Sequence, residues 1–530
     1  MLKHATLFHI IIKHEVEVLP ILVSVVIPVY NSSAYLDACL QSVLTQTYRH
    51  LEIIIINDGS VDKSEEIMTV YSQKDTRIKI YSQTNHGLGY TRNKGISVSN
   101  GDFIFFLDSD DFIPSNALES LVKVGVKYQV DYAVGKVVRF NKDRQYTPIR
   151  HHEFGLYDKN EQTTLSKKPE LLQDSIACNK LWRRDFILKN KLFFTEGKYY
   201  EDLKMTLQAA VLAKKIGVTN NTVYHWRVRD DEGSPSITQQ QMKLGNTQDR
   251  ISALIENRKW LVSNDVPEQI IAEHDRKALL DILRLHVPKF TLIDDNEKDE
   301  WIRTILTFLE QIPDNVSQML PIKEKKLYDL LKRHQFSDLE LFSQMYTNTE
   351  TSPIVNQEGL HFFLKGSQST LYDVTNDLKP TMIVTNIETQ TVGWKLVGEV
   401  KIPKASIPTN GHFYAMCREN KHIIKLVQIE FEGNTRNTVY RYENQQFKII
   451  VPQDAFANVK GDSIYDFFFR LSWDDQHRPA RVRFKDNPSS LSTKKRSFSF
   501  YRTNNGNLSL KSKKVGLNQR ISNLIKSFTQ

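Results

Sequence analysis

Three acids, Asp108, Asp110 and Asp111, follow directly on the apolar run "FIFFL" at residues 103 to 107, and a second acidic pair, Glu201 and Asp202, stands in "GKYYEDLKM". A carboxylate cluster at the end of a hydrophobic strand has three uses: it holds a hard divalent cation, moves a proton, or caps the next helix. Ser115, or Asp111 ahead of Pro114, would serve the capping use. Hard oxygen ligands suit Mg²⁺ or Mn²⁺, ions that keep several waters and bridge substrate phosphates. The acids therefore imply a phosphate-bearing substrate. No GxGxxG follows the first strand and no GxxxxGKS/T occurs anywhere, so neither the dinucleotide fingerprint nor the P-loop applies. A metal must then neutralise the phosphates. A nucleotide diphosphate held by a metal, with its sugar deeper along a sheet edge, fits this layout.

The elements that position these acids are legible upstream. Residues 22 to 140 alternate β-branched runs ("LVSVVIPVYN", "LEIIIINDGS", "RIKIYSQ", "DFIFFLDSDD") with helical stretches at 33 to 47, 61 to 74 and 88 to 99. That rhythm predicts a parallel, right-handed βαβ sheet covered by helices on both faces. Ligands of such sheets bind outside the carboxyl ends of the strands. The polar clusters Tyr30-Asn31, Asn57-Asp58 and Asp108 to Asp111 all fall at that edge. From 246 to about 347 the pattern is helical, with Ile302, Ile305, Leu306 and Leu309 repeating on one face as a packed core does. After "YTNTETSPIVNQEG" the period changes to two, and short alternating runs such as "GWKLVGEVKIP" and "YDFFFRLSW" predict an antiparallel sandwich. The expected layout is an α/β catalytic domain at 1–245, a helical region at 246–350, a β-rich domain at 351–505 and a basic amphipathic tail at 506–530.

Composition excludes several classes. The chain has 530 residues and three cysteines, Cys39, Cys178 and Cys417, with no CxxC pair. Neither a disulfide framework nor a structural zinc site is indicated, and a reducing, cytoplasmic setting is the simplest reading. No apolar stretch approaches the length needed to span a bilayer, and the first residues lack a signal-like cleavage region. Residues 487 to 530 hold nine basic side chains and no acid, which account for the whole formal net charge of +9. That end suits a polyanion or an anionic membrane face, as does the apolar stripe Leu517, Ile521, Leu524, Ile525 and Phe528. A solvated, frayed tail explains the charge equally well.

Five segments, "VSVVIPVYNSSAYLDACLQSVLTQTY", "LEIIIINDGSVDKS", "NHGLGYTRNKGI", "GDFIFFLDSDDFI" and "GKYYEDLKM", occur in the order typical of family 2 inverting glycosyltransferases. The chain resembles that family over residues 22 to 204, which implies a GT-A (Rossmann-like) fold. The helical segment followed by a β-rich region is similar to the wall teichoic acid β-glycosyltransferases that decorate poly(ribitol phosphate). The resemblance implies that Pro28, Tyr30 and Asn31 line the nucleotide of a UDP-sugar donor, and that Asp58 accepts the imide N–H of uracil. It places Arg92 near uracil and phosphate with Asn85 beside it, Asp108 on the ribose or in the metal shell, and Asp110 on Mn²⁺ or Mg²⁺. Asp111 would act through water. Asp202 matches the catalytic base, while Glu201 contacts the sugar or orients Asp202. Arg227, Arg229 and His225 would approach the pyrophosphate beneath a closing loop that contains Gly233 and Pro235. Lys180 and Trp182 in "CNKLWRRDF" either belong to the family pattern or pack the core. The implied reaction moves N-acetylglucosamine to an anionic polyol-phosphate polymer at the cytoplasmic face, and the resembling enzymes assemble as trimers. The alternative acceptor is a lipid-linked capsular or exopolysaccharide precursor, and a binding protein with a degenerate catalytic domain is the non-enzymatic alternative. Nucleic-acid binding would explain the basic end but leaves the five ordered segments unexplained.

Overall fold

Every residue of β1 (Val23–Val29) and of β2 (Leu51–Asp58) is buried, the mark of strands covered on both faces. In the computed structural model, β1 pairs in parallel with β2 and with β4 (Phe103–Phe106), and β2 pairs in parallel with β3 (Ile78–Gln83). Their carboxyl ends therefore share one edge. The structure describes residues 21–514 apart from 143–144, 230–239, 348–354, 359–360, 379, 402–409, 431, 437–442, 457–461, 473–478, 486–489, 493–495 and 504–505. The amphipathic stripe at 517–528 and the loop with Gly233 and Pro235 lie outside the described residues.

The sheet continues through β5 (Tyr132–Phe140), β6 (Gln145–Tyr146), β7 (Glu161–Thr163), β8 (Lys180–Arg183) and β9 (Ile216–Arg227), in the order β3-β2-β1-β4-β8-β5-β9-β7 with β6 on β5. From β8 onward the sheet is no longer parallel: β8 runs antiparallel to both β4 and β5. Helices α1 (Ser33–Leu44), α2 (Ser64–Lys74), α3 (Leu88–Val98) and α4 (Ala117–Tyr128) connect the parallel strands, followed by α5 (Ile149–Glu153), α6 (Arg184–Asn190) and α7 (Asp202–Leu212). A buried carboxylate braces the amino end of the sheet: Glu52 accepts from Ser24 Oγ at 2.5 Å, Lys79 Nζ at 3.1 Å and the Asn100 and Gly101 amides at 2.6 and 3.1 Å. These bonds outweigh its burial and hold its pKa below the ordinary glutamate range.

The chain divides into two compact units, residues 1–137 with 149–226, and residues 138–148 with 227–530. The second unit contains α8 (Leu244–Ser263), α9 (Glu268–Leu285), α10 (Lys298–Glu310), α11 (Ile322–Lys332) and α12 (Phe336–Thr347). Of the predicted stripe, Ile305 and Leu309 are fully buried while Ile302 and Leu306 are only half-buried, and Trp301 and Phe308 take the other core positions. Beyond them lie a three-stranded meander, a five-stranded sheet and a seven-stranded sheet. The pairs are antiparallel except for Ile383–Val384 beside Arg483–Phe484. Trp394 of the five-stranded sheet meets Phe498 and Phe500 of the seven-stranded one edge-on, with ring centroids 5.3 and 5.1 Å apart, so the two sheets share one aromatic core. The start of the expected basic tail, Leu508–Lys514, is a strand of the seven-stranded sheet, with Lys511, Lys513 and Lys514 exposed on it. No helix among the described residues is long and apolar enough to cross a membrane.

Candidate active site

The loops leaving β1, β2 and β4 are tied to one another by side chains. Asn31, in the left-handed region at φ 46°, takes a hydrogen bond from the Val61 amide on its Oδ1 at 2.9 Å, and its own amide donates to Ser60 Oγ at 3.1 Å. Ser32 shares a proton with Ser109 at 2.6 Å, which fastens the first loop to the acidic one. Its amide donates to Ser64 Oγ at 3.0 Å, and the Ser33 amide donates to Asp62 Oδ2 at 2.9 Å. Burial opposes ionisation of Asp62, but these donors and the Ser64 hydroxyl prevail and set its pKa at about 2. Asn31 thus engages its side-chain oxygen in the loop. Tyr30, at 53% exposure, offers its ring to solvent at the same edge, and Pro28 is buried in the last turn of β1 opposite Ile56.

Asp58 is almost fully buried and organises the approach to α3. Its Oδ1 accepts from the His86 amide at 2.9 Å and Gln83 Nε2 at 2.8 Å, and its Oδ2 from the Gly87 amide at 2.9 Å. A carboxylate has about four acceptor positions, so a further donor such as an imide N–H has room on Oδ2. Next to it, Gly59 has φ 78°, and a Cβ there would lie 2.9 Å from the Asn85 amide nitrogen. Only glycine lets the two loops approach this closely. Asn85 itself is exposed beside that contact.

The acidic loop separates its members. Asp111 is 2% exposed; its Oδ2 accepts from the Tyr224 hydroxyl at 2.7 Å, and the same hydroxyl accepts from the Asp108 amide at 3.2 Å. Asp108 Oδ1 pairs with Arg92 Nη2 at 2.6 Å, with the carboxylate still 31% exposed. Asp110 is half-buried between them. No group of three or more His, Cys, Asp or Glu side chains forms a cation cage among the described residues. One or two carboxylates, with the remaining positions left to water and phosphate oxygen, is the donor set that Mg²⁺ and Mn²⁺ accept. Asp108 and Asp110 fit it.

The Glu201-Asp202 pair is likewise split. Glu201 is 7% exposed and pairs with Arg92 Nη1, whereas Asp202 is half-buried at the first position of α7. There the unpaired amides of the helix N-terminus favour a carboxylate. Tyr200, immediately before, has φ 59°, a conformation that strains a bulky side chain. The segment ahead of α7 is held against α3 on several sides: Asn93 exchanges hydrogen bonds with the Phe194 backbone at 2.9 and 3.0 Å, and the Thr195 amide donates to the Glu201 carbonyl at 3.0 Å. A Cβ at Gly89 would come within 2.0 Å of the Thr195 carbonyl oxygen. The edge thus presents a half-buried carboxylate at a helix N-terminus, a loop of three acids and the buried Asp58 carboxylate.

Residues 24–189 match Glycosyl transferase family 2. The chain carries a family 2 glycosyltransferase domain. Glycosyltransferase GlyA of Streptococcus pneumoniae is 34% identical over 218 residues, which are 39% of this chain and 30% of GlyA; the match thus spans under a third of that relative's length. The poly(ribitol-phosphate) beta-glucosyltransferase of Bacillus spizizenii is 25% identical over 496 residues, 89% of this chain and 74% of that protein. Among solved structures, S. aureus TarS superposes with a TM-score of 0.54 at 18% identity, over 94% of this chain and 86% of TarS. Its residues 1–349 in complex with UDP-GlcNAc give 0.51 at 20% identity, over 66% of this chain and 98% of that one. These structural likenesses confirm the GT-A arrangement, with its helical and β-rich continuation, as a fold.

The remaining expected residues sort by use. His225 stacks on Phe112 at 4.6 Å and forms a β-bridge with it, and burial lowers its pKa; it buttresses the acidic loop. Lys180 is buried, its Nζ donating to the Ile176 carbonyl at 2.5 Å and Asn179 Oδ1 at 3.1 Å, and Trp182 donates to the Ala177 carbonyl at 3.2 Å. Both pack the core. Arg227, the last residue of β9, lies over the Phe140 ring at 4.6 Å; it and Arg229 belong to the second compact unit. Tyr224, Phe194, Asn93 and Gly89 escaped the sequence reading. Tyr224 follows a buried valine in a strand of mixed residues and Phe194 sits in a short apolar run, so neither carries a local signal of the acids beside it.

Proposed function

We propose that this chain transfers a sugar, N-acetylglucosamine, from its UDP-linked donor to a hydroxyl of poly(ribitol phosphate) with inversion to a β-linkage. The observation that carries the reading is the Arg92 bridge between Asp108 and Glu201, which brings the acidic loop and the start of α7, where Asp202 stands, to one place. Asp202 takes the proton of the acceptor hydroxyl as that oxygen bonds to the anomeric carbon, and the bond from that carbon to the UDP oxygen breaks on the opposite face. Asp110 and Asp108 would hold a divalent cation, Mn²⁺ or Mg²⁺, which when bound would supply charge neutralisation for the departing diphosphate. Asp58 Oδ2 selects uracil, and Pro28, Tyr30 and Asn31 line the nucleotide. The acceptor class is supported by the poly(ribitol-phosphate) beta-glucosyltransferase that matches 89% of the chain, and the donor by the UDP-GlcNAc held by TarS. The exposed lysines of Leu508–Lys514 suit a phosphate polymer, and we place the reaction at the cytoplasmic face of the membrane, in a homo-oligomer. Light scattering tests the assembly. Parallel assays with UDP-N-acetylglucosamine and UDP-glucose on poly(ribitol phosphate), with and without EDTA, test donor, acceptor and metal. Equal turnover in EDTA would exclude the cation, and transfer only from UDP-glucose would replace the donor.

A further inference from the structure

We infer that Ser109, the residue between Asp108 and Asp110, is a positioning residue whose hydroxyl latches the acidic turn to the loop after β1 and so sets where Asp110 stands. The residues Asp108 to Asp111 close a turn, the Asp111 amide donating to the Asp108 carbonyl at 3.0 Å, with Ser109 and Asp110 at its two central positions. Both ends of this turn are anchored. The Tyr224 hydroxyl binds the Asp108 amide and the Asp111 carboxylate, and the Cys39 thiol donates to the Asp108 carbonyl at 3.7 Å. Phe112, next along the chain, exchanges two backbone hydrogen bonds with His225, at 3.4 and 2.9 Å. Anchors at the ends alone do not stop the tip of a turn from rocking about the line that joins them.

Ser109 restrains the tip. It is 7% exposed between two half-buried acids, so its hydroxyl is enclosed by protein while the acids on either side keep part of their surface in solvent. Its Oγ lies 2.6 Å from Ser32 Oγ, across 77 residues of sequence, and Ser32 is 3% exposed. The Ser32 hydroxyl donates to the Tyr30 carbonyl at 3.1 Å, so the proton between the two serines comes from Ser109. Ser32 is itself fixed: its amide donates to Ser64 Oγ at 3.0 Å, and the Ser64 amide donates to Asp62 Oδ1 at 3.0 Å. A chain of bonds thus runs from the tip of the acidic turn, through the β1 loop that carries Tyr30 and Asn31, to the first residue of α2. Removing either hydroxyl cuts that chain at the tip. Octahedral oxygen shells of Mg²⁺ and Mn²⁺ are short and directional, so an acid displaced with the tip would hold such an ion less well.

Ser109 acts here through Asp110, so the assignment rests on the proposed cation site, and the test separates the two. Mn²⁺ uptake in the presence of saturating UDP, followed by loss of the free-ion EPR signal, is measured for wild type, Ser109→Ala, Ser32→Ala and the double variant, beside metal-free UDP affinity by calorimetry and thermal unfolding. Each single variant should bind Mn²⁺ roughly 5- to 20-fold more weakly, the scale of one buried hydrogen bond, and metal-free UDP affinity in Ser109→Ala should stay within about 2-fold of wild type. The double variant should bind Mn²⁺ no more weakly than the weaker single, because the two hydroxyls act as one unit. A purely structural serine would lower the unfolding midpoint without this selective loss of the ion. Mn²⁺ affinity of Ser109→Ala within about 2-fold of wild type, or strictly additive losses in the double variant, would overturn the latch. If wild type takes up no Mn²⁺ with or without UDP, the cation reading fails and the unfolding midpoints decide: non-additive shifts of Ser32→Ala and Ser109→Ala support the latch, and additive ones overturn it.

Discussion

Replacing Tyr224 by phenylalanine removes one oxygen atom and leaves the ring in place. That oxygen donates to the buried Asp111 carboxylate at 2.7 Å and accepts the Asp108 amide at 3.2 Å. Burial raises the phenol pKa far above its ordinary value, so the hydroxyl stays a donor at every working pH. A hydrogen bond to a charged group contributes about 1.5–3 kcal/mol and a neutral one about 1 kcal/mol, so Tyr224→Phe should destabilise the domain by roughly 2–4 kcal/mol. For a unit of this size that corresponds to a fall in Tm of roughly 5–15 °C. Thermal unfolding followed by circular dichroism reads it directly, with Asp111→Asn and the double variant completing a cycle. Since the two side chains share the bond, the double variant should lose less than the sum of the singles. A Tyr224→Phe midpoint indistinguishable from wild type, or strict additivity with Asp111→Asn, would show that the tyrosine does not hold the acidic loop.

Gly89→Ala places a methyl group 2.0 Å from the Thr195 carbonyl oxygen; the segment leading to Glu201 must move, and turnover should fall about 100-fold with UDP affinity preserved, as steady-state kinetics beside calorimetry will show. Gly59→Ala meets both a φ of 78° and the Asn85 amide at 2.9 Å, so it should lower stability by roughly 1–3 kcal/mol and weaken UDP binding, the reverse of the Gly89 profile. His286 is buried, accepts or donates with Thr247 Oγ1 at 2.9 Å, and burial, aided by Arg250, lowers its pKa to about 3. Because the unfolded imidazole takes its proton near pH 6.5 and the folded one does not, this stability is complete above about pH 6.5 and is lost as pH falls toward 3, by up to about 1.4 kcal/mol per pH unit. Urea unfolding between pH 7.5 and 4 should show that slope in wild type and a flatter one in His286→Gln; identical slopes would exclude His286 as the source.

The strands that carry the site were legible because each is a run of β-branched or aromatic residues ending in polar ones, as in "IIIIND" and "FIFFLDSDD". Their placement at one edge followed from parallel pairing alone. The antiparallel strands β8 and β9 were less legible: "KLWR" mixes charge with apolar residues, and its lysine is buried only because the 174–179 turn wraps it. Asp58 and Asp108 were legible as acids at strand ends, and Asp202 only through the family resemblance. What each acid is bonded to was not, since Arg92 meets Glu201 across 109 residues and Tyr224 meets Asp111 across 113. Such pairs leave no periodic trace in a single sequence. Asn31 shows the same limit: the bond of its Oδ1 to the Val61 amide across 30 residues left no trace in the sequence.

The most direct test of the central claim is the release of UDP from UDP-N-acetylglucosamine in the presence of Mn²⁺ or Mg²⁺, with and without poly(ribitol phosphate), in wild type and Asp202→Asn. The account predicts release stimulated by the polymer in wild type and reduced roughly 10²- to 10⁴-fold in Asp202→Asn, with UDP affinity unchanged between the two. Polymer-stimulated release at the wild-type rate in Asp202→Asn would remove Asp202 as the base and contradict the account.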